Sequence, residues 1–314
     1  MRIESLREAY GKTLVEIGRR NKDVVVLEAD LGKSTRSCLF QEAYPDRYFE
    51  MGIAEQNMAS TAAGLALVGK IPFIHSFAVF AAGRAYDQIR QAISIPGLNV
   101  RICGSSCGLS DFGDGSTHQA IDDVALMRAI PNMTVLVPVD AVEVKKMVEA
   151  MVECKGPVYI RINRNDLPVY TPEDLEYSIG RMYTVREGRD VVVFANGVMV
   201  SKAMEAAEVL QEEGISIEVV NVSTVKPLDV EGLVEKVRCF KGAVVAEEHS
   251  IIGGLCSAVA VALEERKVNI PLEFVAVEDK FGTSASNYED LLKHYGLTSE
   301  SIYNKVKNLL REAF

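Results

Sequence analysis

Short unbroken apolar runs, alternating with helical segments, constrain this chain more than any other feature. Val24–Glu28, Pro72–His75, Met133–Val137 and Pro157–Ile162 carry most of their apolar residues on consecutive positions, not on every second one, and Leu98–Cys103 is a further segment of strand length. Strands of that kind are buried on both faces, the condition of a parallel sheet covered by helices on each side. Between them lie segments with helical spacing. Residues 4–20 put Leu6, Tyr10, Leu14 and Ile17 on one stripe, and further segments fall near 37–43, 82–94, 122–129 and 140–154. Strand and helix repeated in this way define a doubly wound α/β unit over residues 1–170. A charged stretch with Pro172, residues 171–189, reads as a linker. A second, smaller α/β unit then occupies 190–314, with strands at 190–195, 216–220, 243–246 and 272–277.

Ligands of such sheets bind beyond the carboxyl ends of the strands. Asp30, Glu55, His75, the loop 104–120 and Arg164 each follow a strand directly and can converge on one crevice. The stretch Tyr48–Gly69, YFEMGIAEQNMASTAAGLALVG, reads as a buried strand over Tyr48–Ile53 running into a helix over Ala54–Val68. Ala59, Ala62, Ala63 and Ala66 keep one side of that helix thin. Glu55 falls in its first turn, where a carboxylate complements the helix dipole with or without a further role.

The net charge of −10 and a pI near 5.1 exclude the basic surface that nucleic-acid binding needs. The first residues, MRIESLREAYGK, lack the apolar core of a signal peptide, and no apolar run approaches the roughly 20 residues of a membrane helix. A cytoplasmic location is expected. Of the six cysteines, only Cys103 and Cys107 lie close together, and no second pair or nearby histidine completes a zinc-like set. They read as reduced structural thiols.

GIAEQNM at 52–58, SFAVFAAGRAYDQIR at 76–90, the run from Leu98 to Ser110 and GDGSTHQ at 113–119 together resemble transketolase, in its pyrimidine-binding domain. ISIEVVNVSTVKPLD at 215–229 resembles the transketolase C-terminal domain. The resemblance is collinear over essentially the whole chain. It implies thiamine diphosphate chemistry: Glu55 matches the glutamate that assists the aminopyrimidine ring, Phe80 the aromatic on which that ring stacks, and Phe77 a neighbouring wall. Asp30 matches an aspartate near the cofactor. The phosphate ligands fall on Arg7, Ser34 and Arg164, where a planar guanidinium can donate two bonds. Asp114 and His118 match substrate-contacting residues, His118 with a catalytic part. Ser106 stands where many transketolases have a histidine, and Gly83 where yeast and bacterial members often have a tyrosine.

The domain that holds the diphosphate and its metal is missing. Its pattern is GDG followed about 25–30 residues later by Asn, whereas the GDG at 113–115 belongs to the substrate loop and Asn132 follows too early. The resemblance therefore implies the C-terminal subunit of a split transketolase. A separate N-terminal subunit would carry Mg2+ or Ca2+, in an α2β2 assembly acting on sugar phosphates, and this chain would hold no metal itself. Three other readings stay open at this point. 1-Deoxyxylulose-5-phosphate synthase shares similar motifs but is one long chain. The beta subunits of 2-oxoacid dehydrogenases have this length but lack the DGSTHQ pattern. A non-catalytic regulatory or scaffolding subunit would not need the whole residue set.

Overall fold

The computed structural model of the chain describes residues 2–312. The first unit runs β1 (Ile3–Ser5), α1 (Leu6–Arg20), β2 (Val24–Glu28), α2 (Gly32–Thr35), α3 (Cys38–Ala43), β3 (Tyr48–Glu50), α4 (Glu55–Leu67) and β4 (Ile71–Phe77). It continues through α5 (Tyr86–Gln88), β5 (Arg101–Ser105), α6 (Asp123–Ala129), β6 (Thr134–Leu136), α7 (Ala141–Glu153), β7 (Val158–Ile162) and β8 (Asp166–Pro168). The second unit contains β9 (Tyr183–Arg186), β10 (Val191–Ala195), α8 (Met199–Glu212), β11 (Ile217–Asn221) and β12 (Thr224–Lys226). It closes with α9 (Val230–Val237), β13 (Ala243–Ser250), α10 (Leu255–Glu265), β14 (Leu272–Val277), α11 (Tyr288–His294) and α12 (Ser299–Glu312).

Two sheets organise these elements. A seven-stranded sheet has the order β12-β6-β7-β5-β4-β2-β3, and a five-stranded one β14-β13-β10-β11-β9. All neighbours pair in parallel except β12 on β6 and β9 on β11, one edge strand in each sheet. Every residue of β2, β5 and β7 is buried, as the interior of a sheet covered on both faces requires. The fold is the expected mainly parallel α/β arrangement.

Several details depart from the sequence reading. The first helix begins at Leu6, not residue 4, because the Ser5 hydroxyl caps it by accepting from the Glu8 amide at 3.3 Å, and Ile3–Ser5 pairs with β8 instead. The strand expected over Tyr48–Ile53 spans only Tyr48–Glu50. It is an edge strand, paired with β2 alone, and Phe49 and Glu50 are exposed. β9 lies within the stretch read as a linker, and β12, from the second unit, completes the sheet of the first.

The expected helix near 82–94 is not uniform. Phe80–Arg84 and Ile89–Ser94 are π-helical turns on either side of α5. Such turns accommodate one extra residue and re-aim the side chains beyond it.

Side chains lock the two units together. Asn221 donates to Glu143 at 2.9 Å, and the Lys226 ammonium donates to the carbonyls of Arg128 and Ile130 at the end of α6. His249 sits fully buried within β13, and its Nε2 accepts from the Ala125 amide at 3.3 Å. The six cysteines are free thiols. Burial pushes the Cys103, Cys107 and Cys256 thiols up, away from the thiolate form. Among the described residues no helix is long and apolar enough to cross a membrane.

Candidate active site

β2 has β3 on one side and β4 on the other, so successive crossovers leave it in opposite directions. That is a topological switch point, where the ends of the connections part and leave a crevice. A cavity of about 560 Å³ opens there, lined among others by Asp30, Ile53, Glu55, Phe80, Arg84 and His118. Four of the residues singled out in the sequence therefore share one cavity.

Glu55 is the first residue of α4 and is 1% exposed. Arg84 Nη1 donates to both of its carboxylate oxygens, at 2.9 and 3.0 Å, and the Ser76 hydroxyl donates at 3.3 Å. Phe77, at the end of β4, stacks on Phe80 with centroids 6.2 Å apart and planes 14° apart. The His118 ring meets both edge-on, 5.3 Å from Phe80 and 6.3 Å from Phe77. The Arg84 guanidinium also lies over the Phe80 ring, 4.3 Å from its centroid. A buried carboxylate beside a flat aromatic wall suits a planar heteroaromatic ring with a proton to share. Arg84 escaped the sequence reading, although it lies four residues after Phe80, a spacing that puts two side chains on one helical face.

Arg7, Ser34 and Arg164 form a second group. Arg7 Nη1 donates to the Ser34 carbonyl at 2.9 Å, so the Ser34 backbone, not its hydroxyl, makes this contact. Arg7 Nε is buried with no partner among the described residues. Burial pushes the Arg7 guanidinium down, and the charges of Arg164 and Arg36 push it further. Arg7 and Arg164 are thus close enough for their charges to act on each other. Arg164 Nη1 is paired with Asp111 at 2.7 Å, a partner the sequence reading did not foresee. The short helix α2 ties this group to the cavity, since Leu31 lines the cavity and its carbonyl accepts from the Ser34 amide at 2.8 Å.

Ser106 and Asp114 stand apart from the cavity. Ser106 is fully buried at φ +51°, with a hydroxyl that has no partner among the described residues. Asp114 is exposed on the 111–118 loop, where Gly115 at φ +74° makes the turn. His118 Nδ1 lies 3.0 Å from the Thr117 hydroxyl.

Beneath α2, Glu28 holds the element in place. Its carboxyl accepts from the Thr35 hydroxyl at 2.7 Å, from the Ala29 amide at 3.1 Å and from the Ser37 hydroxyl. Burial pushes Glu28 from its ordinary 4.5 up to about 7, against the pull of those hydroxyls. The folded chain therefore holds this proton more tightly than the unfolded one. The associated stability is complete below pH 4.5 and is lost as pH rises towards 7. Urea midpoints are expected to show Glu28→Gln gaining on the native chain steadily between those limits. A difference independent of pH would contradict the buried proton. His75 carries the opposite sign: burial pushes it down to about 4, so its contribution is present above 6.5 and lost as pH falls.

Comparison with known proteins puts the first unit in the class of thiamine-enzyme pyrimidine-binding domains. The family model for the transketolase pyrimidine binding domain matches residues 4–169, and that for the transketolase C-terminal domain matches residues 180–302. The chain belongs to the transketolase family, which is thiamine diphosphate dependent. A chain of Methanocaldococcus jannaschii named as a transketolase C-terminal section is 41% identical over 311 residues, covering 98% of this chain and 97% of that one. A 6-deoxy-6-sulfo-D-fructose transketolase subunit of Clostridium sp. (strain MSTE9) is 40% identical over 298 residues, covering 95% and 92%. A solved structure described as a split gene transketolase, inactive beta4 tetramer, superposes with a TM-score of 0.89 at 48% identity and covers 98% of each chain.

Proposed function

We propose that this chain is the C-terminal subunit of a split transketolase, moving a two-carbon ketol unit from a ketose phosphate to an aldose phosphate together with a separate N-terminal subunit. The observation that carries the reading is Glu55, buried and sharing the cavity at the switch point with Phe80, which stacks on Phe77. That wall fits the aminopyrimidine end of thiamine diphosphate. The other end has no counterpart in the sequence: the GDG at 113–115 belongs to the substrate loop, and Asn132 follows too early for the metal-binding pattern. The diphosphate and its Mg2+ or Ca2+ are thus assigned to the partner, in an α2β2 assembly. Relatives that are themselves named as a section or a subunit support this division.

When bound, thiamine diphosphate supplies the carbanion chemistry of ketol transfer. The residues of this chain do the rest. Glu55 holds a proton at the ring nitrogen, Phe80 with Phe77 behind it fixes the plane of the ring, and Asp30 lines the same wall. Arg84 has to yield the Glu55 carboxylate to the ring. His118 moves a proton at a substrate hydroxyl, and Asp114, exposed on the 111–118 loop, is assigned to the sugar; the buried Ser106 hydroxyl is out of its reach. Arg7, Ser34 and Arg164 bind the phosphate, with Asp111 released from Arg164 as the anion enters.

The reading is tested by assaying ketol transfer from a ketose phosphate, and from pyruvate, with the chain alone and with its partner. Activity is expected only for the pair and only with the ketose. Turnover by the chain alone would end the split reading, and preference for pyruvate would end the transketolase one.

Arg164→Ala is expected to raise KM about 10-fold or more for phosphorylated donors, with little change for a donor that lacks phosphate, consistent with loss of a charged hydrogen bond. Equal effects on both donors would remove the phosphate contact.

A further inference from the structure

The second unit meets the substrate side of the first at several points, such as the Ala285 amide donating to the Phe112 carbonyl at 2.9 Å, and one of its contacts there is a buried carboxylate. Glu248 lies in β13 and is 3% exposed. Its Oε1 accepts from the Leu109 amide at 2.7 Å and its Oε2 from the Asn163 amide group at 3.3 Å. These two partners flank the same feature from opposite directions. Leu109 belongs to the loop that ends in Asp111, the partner of Arg164, while Asn163 immediately precedes Arg164. The two segments are also tied to each other, as the Arg164 amide donates to the Ser110 hydroxyl at 3.3 Å.

Gly108 shows how close the fit is. At φ +59° it adopts a backbone that favours glycine, and a Cβ there would stand 2.5 Å from the Glu248 carboxyl carbon. The Asn163 side chain has little freedom to turn. Its Nδ2 also donates to the Tyr288 hydroxyl at 2.8 Å, and its Oδ1 accepts from the Asn165 amide at 2.8 Å. A carboxylate, which only accepts, satisfies two donors that face it from two segments.

We propose that Glu248 is a positioning residue for the phosphate site: the second unit sets the placement of Arg164 and of the 107–111 loop through this carboxylate. The proposal rests on the reading of Arg164 as a phosphate ligand. It gives the second unit, none of whose described residues line the Glu55 cavity, a part in substrate binding.

Glu248→Gln is the discriminating change, because it keeps the volume and one acceptor while turning a donor towards one of the two donors that Glu248 now satisfies. Binding of inorganic phosphate to the full chain is measured by calorimetry for the native protein, Glu248→Gln, Arg164→Ala and the double variant, with thermal midpoints recorded alongside. Glu248→Gln is expected to weaken phosphate binding about 10-fold, and to add nothing once Arg164 is gone, since it acts only through that residue. Hydrogen exchange at the Leu109 amide should quicken in the same variant. Losses that add in the double variant, or an unchanged affinity in Glu248→Gln beside a weakened Arg164→Ala, would overturn the positioning role and leave the phosphate reading standing. Native affinity retained in Arg164→Ala would overturn the phosphate reading itself, and this proposal with it. Gly108→Ala crowds the carboxylate from the loop side, and is expected to reproduce the loss without touching Glu248. Native affinity in a folded Gly108→Ala chain would count against the proposal.

Discussion

Glu55→Ala is expected to lower ketol transfer by the assembled enzyme about 10²–10⁴-fold, the range over which a positioned proton-transferring side chain contributes. The fold should survive. Glu55 is buried, but its chief partner is not: Arg84 is about half exposed, at 47%, and can turn to water once the carboxylate is gone. The cavity already opens beside α4, so the shortened side chain leaves space continuous with it and no sealed void. Circular dichroism and a thermal midpoint close to native, together with a collapsed turnover in the presence of partner, are the expected pair of results. Turnover near native in that variant would take Glu55 out of the central role and leave the cavity without its proposed chemistry.

The largest effect on stability is expected at a site outside the cavity. Arg161 and Asp123 are 2% and 0% exposed, and the guanidinium Nε donates to both carboxylate oxygens at 3.1 and 2.9 Å. Tyr159 donates to the same carboxylate at 2.6 Å, and Arg161 Nη2 donates to the Ala120 carbonyl at 2.9 Å. The surrounding carboxylates hold the Arg161 guanidinium well above its ordinary value despite its burial. Arg161→Ala strands a carboxylate with no cation in reach of water, and unfolding stability should fall by about 3–5 kcal/mol. Replacing both partners together, Arg161→Met with Asp123→Leu, removes the charge along with its partner and should cost much less. Urea unfolding of the single and double variants measures both. Equal losses would show that packing, not charge, sets the value of the pair.

The architecture was largely legible because it depends on patterns that need no partner. Consecutive apolar residues specify a doubly covered strand wherever it pairs, and helical spacing specifies a buried stripe. Short edge strands have no such signature. Asp166–Pro168, Tyr183–Arg186 and Thr224–Lys226 become strands only through the neighbours they meet. The over-extended strand at Tyr48–Ile53 fails for a related reason: sequence cannot tell that nothing lies beyond it.

In the site, Asp30, Glu55, Phe80 and His118 were legible from their places after strands and within motifs, and the structure brings them to one cavity. Arg84 was not, because the helix expected there starts only near residue 82 and leaves Phe80 off the face that Arg84 shares with it, whereas the helical turn begins at Phe80. The pairing of Arg164 with Asp111 depends on a loop conformation that no local pattern encodes.

The strand lent by the second unit changes what a domain boundary means here. Cutting the chain in the 171–189 stretch would look, on paper, like separating two modules. It would in fact strip Thr224–Lys226 from the edge of the larger sheet and leave the backbone of Thr134–Leu136 unpaired on that side. An open edge of this kind recruits other strands. The larger piece made alone is therefore a candidate for aggregation, and the unit of expression, exchange or engineering for this protein is the whole chain.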